Sequence, residues 1–410
     1  MRLSILSRAA IGISLTGLLT LVGLSAYGDS SAPRKPRQQV LYEQAELARA
    51  GGDSEQAGKI LAGMAEGYWS AVGYLNLSSD YARNDLNPSR ALVSLRVALA
   101  MADKDPDTQR KAALRSRILL RAGYLAYTSS DYEKAIGFLE KIPLDSHRTP
   151  QALYFHGLAL AEQGNHRAAM QSWHRAKKYP LAYPGVADAW IGMGRGYDLS
   201  GYLGQAGEAY LAANAAYESE RVTLDKLATR IEEQGAYKAL VLDARSSFFS
   251  SEEAGSSRQK VEWFLADSRT LTQPRMAYLL GFMEQPAAQQ AVSRVEGLAL
   301  MADQLERNVQ DLGVYIVAIT DQLDALEGSS GNLKTLLADT RTLRKSSLAY
   351  LESVSALRTQ ADVLLDRLAL EFVAVQDKRM VSALDKTEQQ IAHLYEYLAL
   401  KELDSGEQIR

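Results

Sequence analysis

The chain of 410 residues contains no cysteine. That absence excludes disulfides, thiolate catalysis, iron–sulfur clusters, cysteine zinc sites and a lipid-modified N-terminal cysteine. Histidine is scarce as well, at five residues, of which His147, His156, His166 and His174 share one stretch. His166 and His174 stand two helical turns apart with no third ligand at metal spacing, so the four read as structural and no metal is expected. An excess of one charge is also missing: 46 basic residues against 49 acidic ones leave a net −3. Nothing in that balance draws the chain to nucleic acid or to anionic lipid.

Catalytic motifs are absent in the same way. GMGRG at 192–196 has glycines of phosphate-loop type, but they lie within a helical pattern and not between a strand and a helix N-terminus. SRQK at 257–260 spells serine-x-x-lysine with no SDN or KTG element to accompany it. The expectation is a protein that is not an enzyme and carries no cofactor.

What the chain does have is 47% hydrophobic content and a repeated helical pattern. Gly157 follows Gly123 by 157−123 = 34 residues, and Ala169 follows Ala135 by 169−135 = 34. The clearest unit, 150–183, places Leu153, Gly157, Leu160, Ala169, Trp173 and Ala176 at regular intervals. The unit before it, 116–149, has Leu119, Gly123, Ala126, Tyr132, Ala135 and Leu139. The unit after it, 187–220, has Trp190, Gly194, Tyr197, Ala206, Tyr210 and Ala213. Its offset is 194−157 = 37, which assigns Ala182–Gly185 to a lengthened turn. Two weaker units, 38–71 and 72–105, carry Ala45 and Ser79 where the others carry glycine. The stretch DKDPDTQRKA then accounts for ten further residues. Small residues at these points let paired helices approach closely while large ones fill the layer between repeats.

In period and in the placing of its small and large residues, this half of the chain resembles the tetratricopeptide repeat family. The resemblance implies an all-α, tetratricopeptide-like helical-repeat solenoid that binds other proteins on its concave face. In that family, positions two, five, nine and twelve of the first helix face the ligand. Those offsets imply a protein-binding face made of Tyr42, Asn76, Asp80, Arg83, Tyr124, Tyr127, Tyr154 and Arg195.

The N-terminus adds a compartment. Arg2 and Arg8 precede residues 9–28, which carry no charge. Segment length favours a retained single-pass anchor in a bacterial inner membrane with the bulk periplasmic. Cleavage near Ala26 or Gly28, giving a soluble periplasmic protein, is the alternative.

Beyond residue 220 a heptad replaces the repeat. Ala291, Val295, Leu298, Ala302, Leu305, Val309, Leu312, Ile316, Ile319, Leu323 and Leu326 alternate spacings of four and three. After GSSG at 328–331, a second seam follows: Leu336, Thr340, Leu343, Ser347, Tyr350, Val354, Leu357, Ala361, Leu364 and Leu368. The two predict a long antiparallel coiled-coil hairpin. The apolar pattern resumes at Leu384, Ile391, Leu394 and Leu398, past the hairpin base, and is expected to pack on helices between 222 and 283. SSFFSSEEAGSS at 246–257, Pro274 and Pro286 mark breaks.

The domain reading is therefore a signal-anchor and linker at 1–37, about five repeats at 38–220, a helical connector at 221–287 and the hairpin at 288–410. The functional expectation is a scaffold or adaptor in a bacterial cell-envelope complex, its repeats taking one partner and its hairpin spanning or docking a second. Small and polar seam members such as Thr340, Ser347 and Ala361 leave room for another helix, which allows homo-oligomerisation. The alternatives are a recruiting subunit of a cell-wall or polysaccharide-processing enzyme, and a membrane-anchored sensor.

Overall fold

The computed structural model describes residues 36–85, 88–242, 271–325 and 331–407, all of whose regular elements are helical. The uncharged segment 9–28, the break at 246–257, SRQK at 257–260, Leu326 and most of the GSSG turn lie outside the described residues. Among the described residues, no helix is long and apolar enough to cross a membrane.

The first ten helices form five antiparallel pairs. They are α1 (Arg37–Ala50) with α2 (Ser54–Ala62), α3 (Tyr68–Asn84) with α4 (Ser89–Ala102), α5 (Thr108–Thr128) with α6 (Tyr132–Leu139), α7 (Thr149–Glu162) with α8 (His166–Ala176), and α9 (Val186–Leu199) with α10 (Leu203–Gln234). In four pairs the joining turn puts its middle residue in the left-handed region, at Gly52, Ser130, Gly164 and Gly201. The next residue caps the second helix in three of them: Asp53, Asp131 and Asn165 each accept a hydrogen bond from a backbone N–H three residues on.

The interior follows the spacing read from the sequence. Ala57, Ala91, Ala135, Ala169 and Ala206 are fully buried, as are Leu61, Leu95, Leu139, Trp173 and Tyr210 four residues later. The glycines face these large side chains. A Cβ on Gly123 would stand 2.6 Å from Leu139, one on Gly157 2.3 Å from Trp173, and one on Gly194 2.4 Å from Tyr210. Each contact lies within one pair, so the missing side chain sets the distance between its two helices.

Three local readings need correction. The α3–α4 turn has four residues and not three, so the buried small residue is Ser78 and not Ser79. The offset of 37 arises because α8 is 11 residues long where α6 is 8, while the connectors 140–148 and 177–185 share one turn pattern. The stretch DKDPDTQRKA is only in part a loop, since α5 begins at Thr108. Asp107 caps α5 through Gln109 N and Arg110 N, and the buried Asp105 takes both ends of the Arg110 guanidinium at 2.7 and 2.6 Å. That guanidinium holds the Asp105 carboxyl below the usual carboxylate range.

The last repeat does not end where the others do. α10 runs 32 residues, through position 220 without a break, and a π-helical turn, Tyr237–Leu242, follows it. Then come α11 (Pro274–Met283), α12 (Pro286–Ala325) and α13 (Gly331–Glu407). α13 is 77 residues long and lies antiparallel along α10. Leu394 covers Gly207, Thr387 donates to Asn214, Asp377 pairs with Arg221 at 2.8 Å, and Asp366 accepts from Ala236 N at 2.6 Å. Residues 384–398 were expected on helices between 222 and 283. Ile391, Leu394 and Leu398 instead cover the fifth repeat, around Leu203, Ala206 and Tyr210. Leu384 alone of that segment lies where expected, at the end of the stretch from Ala361 to Leu384 that shares a core with Leu224, Leu227, Ile231, Met276 and Phe282.

α12 and α13 form the expected hairpin. The α12 seam is as read, from Ala291 to Leu323. On α13 only half of the seam is: Thr340, Ser347, Val354 and Ala361 turn inward, but Leu336, Leu343, Tyr350 and Leu357 do not. Their places are taken by Leu333, Leu337 and Leu351, because α13 carries apolar residues on both sides of the Thr340–Ala361 line and one neighbouring helix covers only one side.

Two outcomes are expected. Gly157→Ala forces a methyl group into the Trp173 ring and lowers unfolding free energy by about 2 kcal/mol, whereas Gly137→Ala, in open space on α6, raises it by about 0.5–1 kcal/mol. Urea melts of the two variants separate close packing from helix propensity. Glu220 is the second case. Burial raises its pKa, against the opposing hydrogen bond from the Tyr278 hydroxyl. The folded state therefore holds the proton more tightly than the unfolded one, and stability falls as pH rises through the folded pKa. Glu220→Gln keeps an acceptor for Tyr278 without the charge, so it melts higher than the parent at pH 8, with the difference vanishing toward pH 4.

Candidate functional site

The first helices of successive pairs, α1, α3, α5, α7 and α9, pack side by side, while each second helix wedges between flanking first helices. The first helices therefore line the inner, tighter side of the curve, and that inner surface is the candidate site.

The structure divides the eight residues of the implied binding face into two groups. At the N-terminal end, Asn76 donates to Tyr42 Oη at 3.2 Å and to Glu46 at 3.1 Å. Asp80 accepts from Arg49 at 3.1 Å and from Arg83 at 3.2 Å. Burial, then the Glu46 charge, pushes the Tyr42 phenol up. Tyr42, Asn76 and Asp80 are thus engaged in joining α1 to α3, and Arg83 is the exposed member of the group.

The second group is aromatic. Tyr124 and Tyr154 pack on either side of Phe155 at ring distances of 5.1 and 5.3 Å, and Tyr127 stands 6.3 Å from Phe155 and 5.9 Å from Tyr132. The charge of the exposed Arg195 reaches both Tyr127 and Tyr154. Tyr154 is the most constrained of these. Its ring packs against Gly185, whose Cβ would lie 2.8 Å away, and its carbonyl accepts from Trp173 Nε1 at 3.2 Å. Burial is also the main reason its phenol is pushed up. Tyr154 is therefore committed to the packing of the array, while Tyr124 keeps its ring exposed in the groove.

Further toward the N-terminal turns of α5 and α7, the groove becomes a cavity of about 880 Å3. Its walls are α5 (Arg110, Arg117), the α6–α7 connector (His147, Arg148), the α8–α9 connector (Tyr183), α11 (Leu280, Glu284) and α13 (Phe372, Arg379). The C-terminal helices thus roof one end of the groove, and Arg148 ties the array to them through Glu284 at 2.7 Å. The other cations have their own fixtures. Arg110 is held by Asp105 and lies over the Tyr68 ring at 4.6 Å, and Arg379 donates to Gln376 at 2.8 Å. Arg117 reaches the water of the cavity, yet the surrounding protein mass, and after it the charge of Arg148, lowers its pKa. A guanidinium in that position favours an anionic group beside it.

The implied face omitted this cavity, although a signal for part of it existed. Arg117 and Gln151 occupy the second position of their repeats, and both line it. Arg148, Glu284 and Arg379 come from a connector and from helices outside the repeats, which repeat spacing cannot reach.

Two of the four clustered histidines have hydrogen-bond partners across neighbouring elements. His156 Nδ1 lies 2.8 Å from Ser172 Oγ, and His147 Nδ1 lies 3.3 Å from Tyr183 Oη. Among the described residues, no three metal-ligating side chains come together. GMGRG lies inside α9, where Gly192 meets Trp173, Gly194 meets Tyr210 and Gly196 meets Met170.

No protein-family profile matches the sequence, and a search of curated proteins finds no similar chain. Among solved structures, the chain is similar to a MamA protein, at 17% identity over 45% of this chain and 93% of that one, with a TM-score of 0.34. It is also similar to a tetratricopeptide repeat protein from Parabacteroides merdae, at 17% identity over 60% of this chain and 91% of that one, with a TM-score of 0.35. By its own geometry, five antiparallel helix pairs with buried small and large residues at fixed places, the array is a tetratricopeptide-like solenoid.

Proposed function

We propose that the protein is a non-enzymatic scaffold that captures a segment of another protein along its inner groove. The observation that carries this reading is the continuity of the groove: a cluster of aromatic rings around Phe155 leads into a cavity edged by guanidinium groups and roofed by the C-terminal helices. Tyrosine and arginine supply contact area and directed hydrogen bonds at small entropic cost, which suits an extended peptide with an acidic or carboxylate end.

The setting we propose is the bacterial cell envelope, with the protein either held at the inner membrane by residues 9–28 or released into the periplasm. The uncharged run behind Arg2 and Arg8 supports that reading. Envelope proteins are then the partners, and the array serves as a docking platform in their assembly.

A photo-crosslinking residue placed in living cells tests the groove directly. At position 124 it is expected to give a discrete adduct with a second protein, and at position 133, on the outward face of α6, none. Arg117→Glu in the same background is expected to reduce the adduct at least fivefold. Equal labelling from both positions, or an adduct indifferent to Arg117→Glu, would remove the groove from consideration.

A further inference from the structure

Toward its tip, the α12–α13 hairpin stands clear of the body. Beyond Leu298 on α12 and Ala361 on α13, only Leu323, Thr340 and Ser347 are fully buried among the described residues. Its pairing register is fixed by Val295 and Ala361, which share one buried cluster, and by Gly313, whose Cβ would lie 3.8 Å from Arg344. That register sets Val309 opposite Ser347, Leu312 opposite Arg344 and Leu298 opposite Arg358. The seam therefore mixes apolar layers with polar and cationic ones.

The larger apolar surface lies beside the seam. Leu336, Leu343, Tyr350 and Leu357 repeat every seven residues along one flank of α13, and each is about half exposed, at 49–55%. On α12 the residues of that flank are Arg294, Met301, Asn308, Tyr315 and Gln322, of which Met301 and Tyr315 are exposed apolar side chains at 53% and 60%. The opposite flank carries Arg341, Ser355, Glu306 and Thr320, with Leu348 as its one large apolar side chain. A strict two-helix coiled coil needs only its two seam positions to be apolar. A third apolar position on one flank marks a helix with two neighbours, as in a four-helix bundle.

We propose that this flank is where a second copy of the chain docks, so that two hairpins close into a four-helix bundle. The area selects this occupant. The stripe spans 357−336 = 21 residues, about 32 Å of helix, and two helices make it about 20 Å wide. Two such faces bury roughly 1,300 Å2 together, within the ~1,200–2,000 Å2 of specific interfaces. A lone partner helix, about 10 Å across, covers half of each face and leaves the remainder wet. The residues bordering the stripe are Asp339, Ser346, Ser353 and Gln360 on α13 and Gly297, Gln304, Asp311 and Ala318 on α12, so small side chains allow close approach at its middle and carboxylates stand toward the tip. The site is independent of the groove and stands or falls without it.

Sedimentation equilibrium of the full chain over about 1–100 µM tests the proposal. The parent is expected to dimerise within this range. The double variant Leu343→Glu/Tyr350→Glu, at positions exposed in the single chain, is expected to keep the parent's helical circular dichroism and to dimerise at least tenfold more weakly. Leu348→Glu, on the other flank, is expected to dimerise like the parent. A chain that stays monomeric throughout, as it would if the flank served a different protein, overturns the proposal. So does a dimer that the double variant leaves intact.

Discussion

The antiparallel seam between α10 and α13 is the constraint on which the rest of the structure depends. A solenoid buries its core between neighbouring repeats, so its last repeat presents an apolar face with no successor. Here that face, around Leu203, Ala206 and Tyr210, is covered by Ile391, Leu394 and Leu398. Polar pairs down the same seam then fix its register, from Thr387 with Asn214 to Asp366 with the backbone at Ala236. A stopper that merely shielded the end could be short. This one is 77 residues long because the same helix also forms the core of the C-terminal unit and one side of the hairpin.

Two functional surfaces follow from that single helix. Within that seam, its Phe372, Gln376 and Arg379 reach over the groove and, with Glu284 at the C-cap of α11, turn an open channel into a cavity. Farther on, it projects the hairpin away from the array. Groove and hairpin are thus positioned by one rigid element.

The array was legible in the sequence because its grammar is local and steric. A glycine opposite Trp173 or Tyr210, and an alanine recurring once per repeat, record how near two helices come. Legibility ended where two structures satisfy one pattern. α13 offers apolar residues on both sides of its Thr340–Ala361 line, and nothing local says which side α12 covers. The cavity was hidden for a different reason: Arg148 sits in a connector, and Glu284 and Arg379 lie more than 100 residues from it in the chain, so only the tertiary fold brings them together. Of the implied binding face, Tyr42, Asn76 and Asp80 hold repeats together and Tyr154 holds the α8–α9 connector, which repeat spacing alone does not tell apart from an open surface.

The most direct test of the account is hydrogen exchange, peptide by peptide, on the full chain and on Leu394→Asp. If α13 is the cap of the array, the substitution should release amides in 203–221 together with those in 380–398, while α1–α4, at the far end of the solenoid, keep their protection. Unchanged exchange in 203–221, with 380–398 alone becoming labile, would mean that the last repeat is stable without its cover, and the role assigned to α13 would be wrong.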